Sequence, residues 1–218
     1  MRSMTQPTAA TIKALAFDFD GTLADSFPVF VHGVEYALNR KPFTPEEIEE
    51  LRQYSAREVV RILKVKAWKL PFLVTKGMRE MDRHQGDITI FPGVADTLKT
   101  LRERGYTLYI VSSHSGKGIT LFLKKYGLEN DFDYIYSKAG LFGKPKALRK
   151  LQARFNYLSS ECLFIGDEVR DIEAANKANV RCVSVSWGFN TKAALQSHNP
   201  SSLIDKPEEL IEVVKSLS

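Results

Sequence analysis

Short apolar runs and helix-spaced apolar positions alternate along most of this chain. The stretch from Lys13 to Phe19 (KALAFDF) is an apolar run that closes on acids and is followed by Gly21 and Thr22, which predicts a buried strand ending in a turn. Runs of the same kind, from Thr107 to Ser112, Asp133 to Ser137, Glu161 to Gly166 and Arg181 to Val185, predict four further strands. Between them lie apolar positions at helical spacing: Val94, Leu98 and Leu101; Ile119, Phe122 and Tyr126; Leu148, Leu151 and Phe155; Ile172, Ala175 and Ala178. Strands that alternate with helices predict βαβ units, hence an α/β fold whose Rossmann-like, doubly wound parallel sheet carries helices on both faces.

One stretch breaks this rhythm. Residues 26–87 show helical patterning, several prolines and no convincing strand, and so predict a small helical domain inserted after the first strand. Pro45 with Glu46 and Glu47 reads as a helix start; Val59, Ile62 and Leu63 share a face of the next helix, and Leu73, Val74, Met78 and Met81 suit a third. The expected organisation is a polar tail over 1–11, a core over 12–25 and 88–218 closed by a helix bearing Leu210, Ile211, Val214 and Leu217, and the insertion over 26–87.

Composition narrows the class. The chain has 218 residues and a formal charge of +5, a length that buries a full core without staples. Its two cysteines, Cys162 and Cys182, sit in apolar runs and cannot make a disulfide framework or a four-ligand zinc site. Neither a secretory leader nor 18 consecutive apolar residues appear, which sets the expectation of a cytoplasmic protein with no membrane span. Basic residues are dispersed and lack an interleaved aromatic motif, so no nucleic-acid partner is expected.

The candidate chemistry is acidic. Asp18 and Asp20 alternate around Phe19 at the end of the first strand and are expected to face one side and crowd each other. Asp167 and Asp171 follow another apolar strand, and in an open parallel sheet the carboxyl ends of strands share one rim. Four carboxylates converging there would be relieved by a hard divalent ion, and Mg²⁺ suits one or two carboxylates with waters and a substrate phosphate. Ser112 and Ser113 end the second core strand. Lys144 stands at a helix start, where the dipole disfavours a cation and a bound phosphate would account for it. His114 reads as an ordinary loop histidine, His32 as part of the insertion, and Trp187 as packing beneath the loop after the fifth strand.

DFDGT (Asp18 to Thr22), VSS (Val111 to Ser113), Lys144 in GKP and GDEVRD (Gly166 to Asp171), in this order, resemble the motifs of haloacid dehalogenase-superfamily phosphatases. The stretch WGFNTKAAL (Trp187 to Leu195) is similar to the phosphoglycolate phosphatase-like branch. The resemblance implies that Asp18 is a nucleophile forming an aspartyl-phosphate and that Asp20 is the general acid and base. It further implies Mg²⁺ held by Asp18, the Asp20 carbonyl, Asp167 and Asp171, and phosphoryl oxygens held by Gly21, Thr22, Ser112, Ser113 and Lys144. The insertion resembles a cap that selects substrate, and Arg57, in the YSARE turn, is the candidate for a second anionic group.

The expected activity is Mg²⁺-dependent hydrolysis of a small phosphorylated metabolite, 2-phosphoglycolate first, by a monomer or homodimer. An intact Asp20 speaks against dehalogenation, which leaves no oxygen to protonate. Two alternatives stand beside it: a phosphotransferase or sugar-phosphate mutase on the same scaffold, and a regulatory binding protein with little turnover.

Overall fold

The computed structural model describes residues 11–137, 139–140 and 143–218; the expected tail over 1–11 lies almost wholly outside them. In chain order the elements are β1 (Ala14–Phe17), β2 (Ala24–Asp25), α1 (Phe27–Leu38), α2 (Pro45–Leu51), α3 (Ala56–Ile62), α4 (Leu70–Arg83), β3 (Thr89–Ile90), α5 (Val94–Glu103) and β4 (Thr107–Val111). They continue with α6 (Gly116–Lys125), β5 (Tyr134–Tyr136), α7 (Lys144–Phe155), β6 (Cys162–Gly166), α8 (Val169–Lys177), β7 (Arg181–Val185), α9 (Lys192–Ser197), β8 (Ser202–Ile204) and α10 (Glu209–Ser216).

Six strands form one parallel sheet in the order β5-β4-β1-β6-β7-β8. The two-residue period of β1 explains the layers. Leu15 and Phe17 face a core shared with Leu98 and Leu101 of α5, Ile119 and Phe122 of α6, and Leu210 and Val214 of α10. Ala14 and Ala16 face the other side, where Leu148 and Leu151 of α7 and Ile172 and Ala175 of α8 pack. Runs buried on both faces are what a doubly wound sheet requires. The sheet grows outward in both directions from β1, so the carboxyl ends of β1, β4 and β6 border the crevice where such folds bind ligands.

The five expected strands are present, with β1 shorter than its apolar run because the chain bends at Phe19. Three strands were not anticipated. β8 is a three-residue edge strand with one buried side chain, Ile204, too short to show a period. β2 and β3 are two residues each and pair antiparallel, Ala24 with Ile90 and Asp25 with Thr89, tying together the two chain segments that flank the helical stretch.

Within that stretch, α2 and α3 are seven residues each, and both open with reciprocal capping boxes, Thr44 with Glu47 and Ser55 with Glu58. Such short helices are marginal alone, and caps supply part of what length does not. The expected apolar faces hold only in part: Ile62 and Met78 are exposed, and the one buried residue of α4 is Glu80. Helices α1 and α4 pack instead through a glycine contact, since a Cβ on Gly77 would stand 3.2 Å from the Gly33 carbonyl oxygen. No helix among the described residues is long and apolar enough to cross a membrane.

Candidate active site

Sheet register sets the site. Phe17 pairs with Ile110 on one side and Ile165 on the other, so Asp18, Ser112 and Asp167 all emerge within two residues of one line across the rim. Asp18 is buried and its Oδ1 accepts the Phe19 N–H at 2.7 Å. Its Oδ2 accepts from Lys144 Nζ at 2.5 Å, and the same ammonium donates to Asp171 Oδ1 at 2.5 Å. The helix-start charge of Lys144, for which a bound phosphate was one account, is answered in this structure by two carboxylates of the chain itself. Burial works against the Lys144 ammonium, but Asp171 and Asp18 outweigh it and raise its pKa.

Asp20 takes a different partner. Both its oxygens face His114 Nδ1, at 3.2 and 3.1 Å, so the two aspartates of DFD do not depend on each other for neutralisation. Burial favours the neutral Asp20 carboxyl, yet the hydrogen bond and charge of His114 prevail and hold it below the usual carboxylate range. For His114, burial acts downward and the Asp20 bond and charge more than reverse it, so the imidazolium is favoured. His114 is thus part of the site and not the ordinary loop histidine its context suggested. Its adjacency to Ser112 and Ser113 was the available signal. Ser112 is fully buried and its Oγ accepts the His114 N–H at 3.1 Å, while Ser113 is half-buried.

The second acidic group divides in two. Asp167 Oδ1 accepts from the Thr22 hydroxyl at 2.7 Å and Oδ2 from the Phe189 N–H at 2.8 Å. The Thr22 hydroxyl thus donates to Asp167, and the backbone N–H groups of Gly21 and Thr22, expected to face phosphate, donate instead to the carbonyls of Ala24 at 2.8 Å and Phe19 at 3.3 Å. Gly21, at φ +76°, comes so close that a Cβ there would lie 2.1 Å from Asp167 Oδ2, which makes glycine obligatory on both counts. Asp171, Glu168 and Asp18 form the other group, all buried, with ligand oxygens within 4.8 Å of one another. Burial and the surrounding acids Glu168, Asp171 and Asp18 push the Asp167 carboxyl well above its ordinary value. Burial also raises Asp171, to about 6, against the opposing pull of Lys144.

Glu168 and Arg170 were passed over in the sequence although they lie inside GDEVRD. Arg170 Nε donates to Glu168 Oε1 at 2.8 Å, adding a second cation to the cluster. An oxygen-only donor set, buried and too acidic for its resident cations, suits a hard divalent ion. Asp20 and Asp167 stand outside the group of three whose oxygens converge, although the Asp167 oxygens each keep a lone pair.

The loop after β7 joins this site to the helical stretch. Asn190 Oδ1 accepts the Val169 N–H at 2.9 Å, at the start of the helix that carries Asp171, and its Nδ2 donates to the carbonyls of Arg52 at 2.8 Å and Tyr54 at 3.0 Å. Arg52 answers by donating to the carbonyls of Phe189 at 3.0 Å and Gly188 at 2.9 Å. Phe189 packs against Phe27 and Phe30 of α1. Trp187 Nε1 donates to the Thr22 carbonyl at 3.1 Å, which secures the turn after Asp20. Arg57 lies exposed in the first turn of α3.

The fold and its acids locate the site, and the chain's relatives give its class. The profile of "Haloacid dehalogenase-like hydrolase" matches residues 15–185, and the chain belongs to that family. Phosphoglycolate phosphatase of Synechococcus elongatus is 34% identical over 211 residues, covering 94% of this chain and 99% of that one. A 5′-nucleotidase of Pseudomonas aeruginosa is 26% identical, covering 93% of this chain and 95% of its own length. Among solved structures, a haloacid dehalogenase-like family hydrolase of Streptococcus pneumoniae superposes with a TM-score of 0.79 at 21% identity, covering 93% of this chain and 98% of that one. The enzyme stands among the phosphatases of its family, which generally use a divalent metal.

Replacing Lys144 by Met leaves Asp18 and Asp171 buried without their shared cation. The expected loss is about 3–5 kcal/mol of metal-free stability, read from denaturant midpoints in chelator, with part of it restored by Mg²⁺.

Proposed function

We propose that the chain is a divalent-metal-dependent phosphomonoesterase that works through phosphorylation of Asp18, with 2-phosphoglycolate as the first substrate. The observation that carries this reading is the buried Asp18 carboxylate, bonded to Lys144 and gathered with Glu168 and Asp171 at the carboxyl end of β1. The relative that is 34% identical is a phosphoglycolate phosphatase, which supports the choice of ester.

In this reading an Asp18 oxygen attacks phosphorus as the bond to the leaving oxygen breaks, and Asp20 gives that oxygen its proton. Water then attacks the aspartyl-phosphate, its proton passes to Asp20, and phosphate leaves with Asp18 restored. His114 favours the carboxylate form of Asp20 that the second step uses, and its Nδ1, 3.1 Å from Asp20 Oδ2, is placed to pass Asp20 the proton that the first step needs. Lys144 and Ser112, with the backbone at Ser113, hold the phosphoryl oxygens, while the N–H groups of Gly21 and Thr22 hold the turn itself through the carbonyls of Ala24 and Phe19. Positioning and charge stabilisation are most of what phosphoryl transfer asks of a protein. Asp18, Asp171 and Glu168 or Asp167, with the Asp20 carbonyl, would hold Mg²⁺, whose charge offsets that of the phosphate as the carboxylate approaches.

Residues 26–87 act as a cap in this account, seated on the core through Arg52 and Asn190. Closure excludes water and completes the site. Arg57 supplies the cap's positive charge toward a second anionic group of the substrate.

Phosphate release from a panel of esters, including phosphoglycolate and a nucleoside monophosphate, tests the chemistry. Turnover is expected with Mg²⁺, is lost in chelator, and falls by at least about 10³-fold, ~4 kcal/mol, in Asp18→Asn; undiminished turnover in that variant would refute the nucleophile. Arg52→Met keeps the stem and loses two bonds to the core loop, so kcat/KM is expected to fall about 10- to 100-fold, ~1.4–2.7 kcal/mol, with little change in Tm. Arg57→Ala is expected to raise KM for phosphoglycolate and to spare a neutral aryl phosphate; equal effects on both would remove Arg57 from substrate recognition.

A further inference from the structure

A second group of ligating side chains lies in the helical stretch, away from the carboxylates at the sheet rim. Glu80 and His84 are four residues apart on α4 and share a face, and the close Gly33–Gly77 contact brings His32 of α1 over them. Nε2 of His32 and Nε2 of His84 each stand 3.5 Å from the same oxygen, Glu80 Oε1. The two rings are 5.0 Å apart between centroids, and the ligand atoms of all three residues lie within 4.8 Å of one another.

Those distances fit a cation site better than a closed hydrogen-bonded ion pair. A charge-assisted N–H···O bond closes to about 2.7–2.9 Å, whereas a tetrahedral zinc with bonds of about 2.0–2.1 Å has ligand-to-ligand edges of about 3.3–3.4 Å. Two imidazole nitrogens at 3.5 Å from one carboxylate oxygen match such an edge more closely than a hydrogen bond.

The other valences of Glu80 and His84 are already turned to outer partners. Glu80 Oε2 accepts from Arg83 at 2.8 Å, which leaves Oε1 for the centre. His84 Nδ1 faces Asp87 Oδ2 at 3.2 Å, the carboxylate-behind-histidine arrangement that places the proton on Nδ1 and the lone pair on Nε2. Glu80 is buried at the base, while the side chains of His32 and His84 are 51% and 43% exposed, so the open side of the group faces solvent.

We propose that His32, Glu80 and His84 form a three-ligand site for a borderline divalent ion, Zn²⁺ above all, with its fourth position open to water. Two imidazoles favour Zn²⁺ over Mg²⁺, which separates this site chemically from the oxygen-only group of Asp18, Glu168 and Asp171. An ion held there fastens α1 to α4, the two longest helices of the insertion.

The test uses the full chain, freed of metal and kept in millimolar Mg²⁺ to occupy the oxygen site. Zn²⁺ bound after gel filtration is counted by elemental analysis, and Co²⁺ is substituted to read coordination from its visible spectrum. The expected result is one Zn²⁺ per chain, a Zn²⁺-dependent rise in Tm, and the intense visible bands of four-coordinate Co²⁺. All three are lost in His32→Asn and in His84→Asn and are kept in Asp171→Asn. Glu80→Gln, similar in shape, should weaken Zn²⁺ binding at least tenfold and guards against misfolding of a histidine variant. Equal Zn²⁺ uptake by wild type and the histidine variants, or wild-type Co²⁺ protein without those bands, would overturn the proposal.

Discussion

Carboxylates crowded at the rim of a sheet must be neutralised, and the ammonium of Lys144, bonded to Asp18 and Asp171 at once, is the main means by which this chain does so. A buried charge cluster of this kind is stable only when every member is paired, because each ion loses its hydration. The pairings are distributed with little redundancy: Lys144 serves Asp18 and Asp171, His114 serves Asp20, Arg170 serves Glu168, and Asp167 takes neutral donors from Thr22 and Phe189. Burial and the neighbouring acids push the carboxyls of Asp167 and Asp171 above their ordinary values, and this excess of buried acid makes a divalent ion welcome.

The fold supplies the frame for this balance. Parallel strands β1, β4 and β6, held in register from both sides, deliver Asp18, Ser112 and Asp167 to one line, and α7 and α8 bring Lys144 and Asp171 from the same face of the sheet. The loop after β7 then connects the charges to the helices of 26–87. Asn190 binds the backbone of Val169, beside Glu168, with one end of its amide and the backbone of Arg52 and Tyr54 with the other. A displacement of those helices therefore acts on the start of α8, which gives a physical link between access to the site and the placement of Asp171.

Much of this was legible in the sequence because it is local or periodic. The buried strands announce themselves as apolar runs, and β7 falls where the pattern predicts, as does the helix that carries Ile172 and Ala175. Asp18, Asp20, Asp167 and Asp171 stand out as acids at strand ends. What was hidden is long-range or arises from very short elements. Nothing local tells that Lys144 answers Asp18 across 126 positions, or that Asn190 reaches Arg52 across 138. β2 and β3, with two residues each, carry no period, and the packing face of α4 was legible only in part, because Gly77 and Met81 meet Gly33 of α1 while Met78 is exposed. His114 and Glu168 were within reach, each beside a motif residue, but their roles depend on a partner from another strand or helix.

The central claim is that the site's charge balance exists to make Asp18 a nucleophile. Its most direct measurement is rapid acid quenching of the enzyme turning over phosphoglycolate labelled in the phosphoryl group, followed by peptide mapping. The account predicts acid-stable, hydroxylamine-labile label on the peptide containing Asp18, absent in Asp18→Asn. Turnover without any labelled protein, or label confined to another residue, would contradict it.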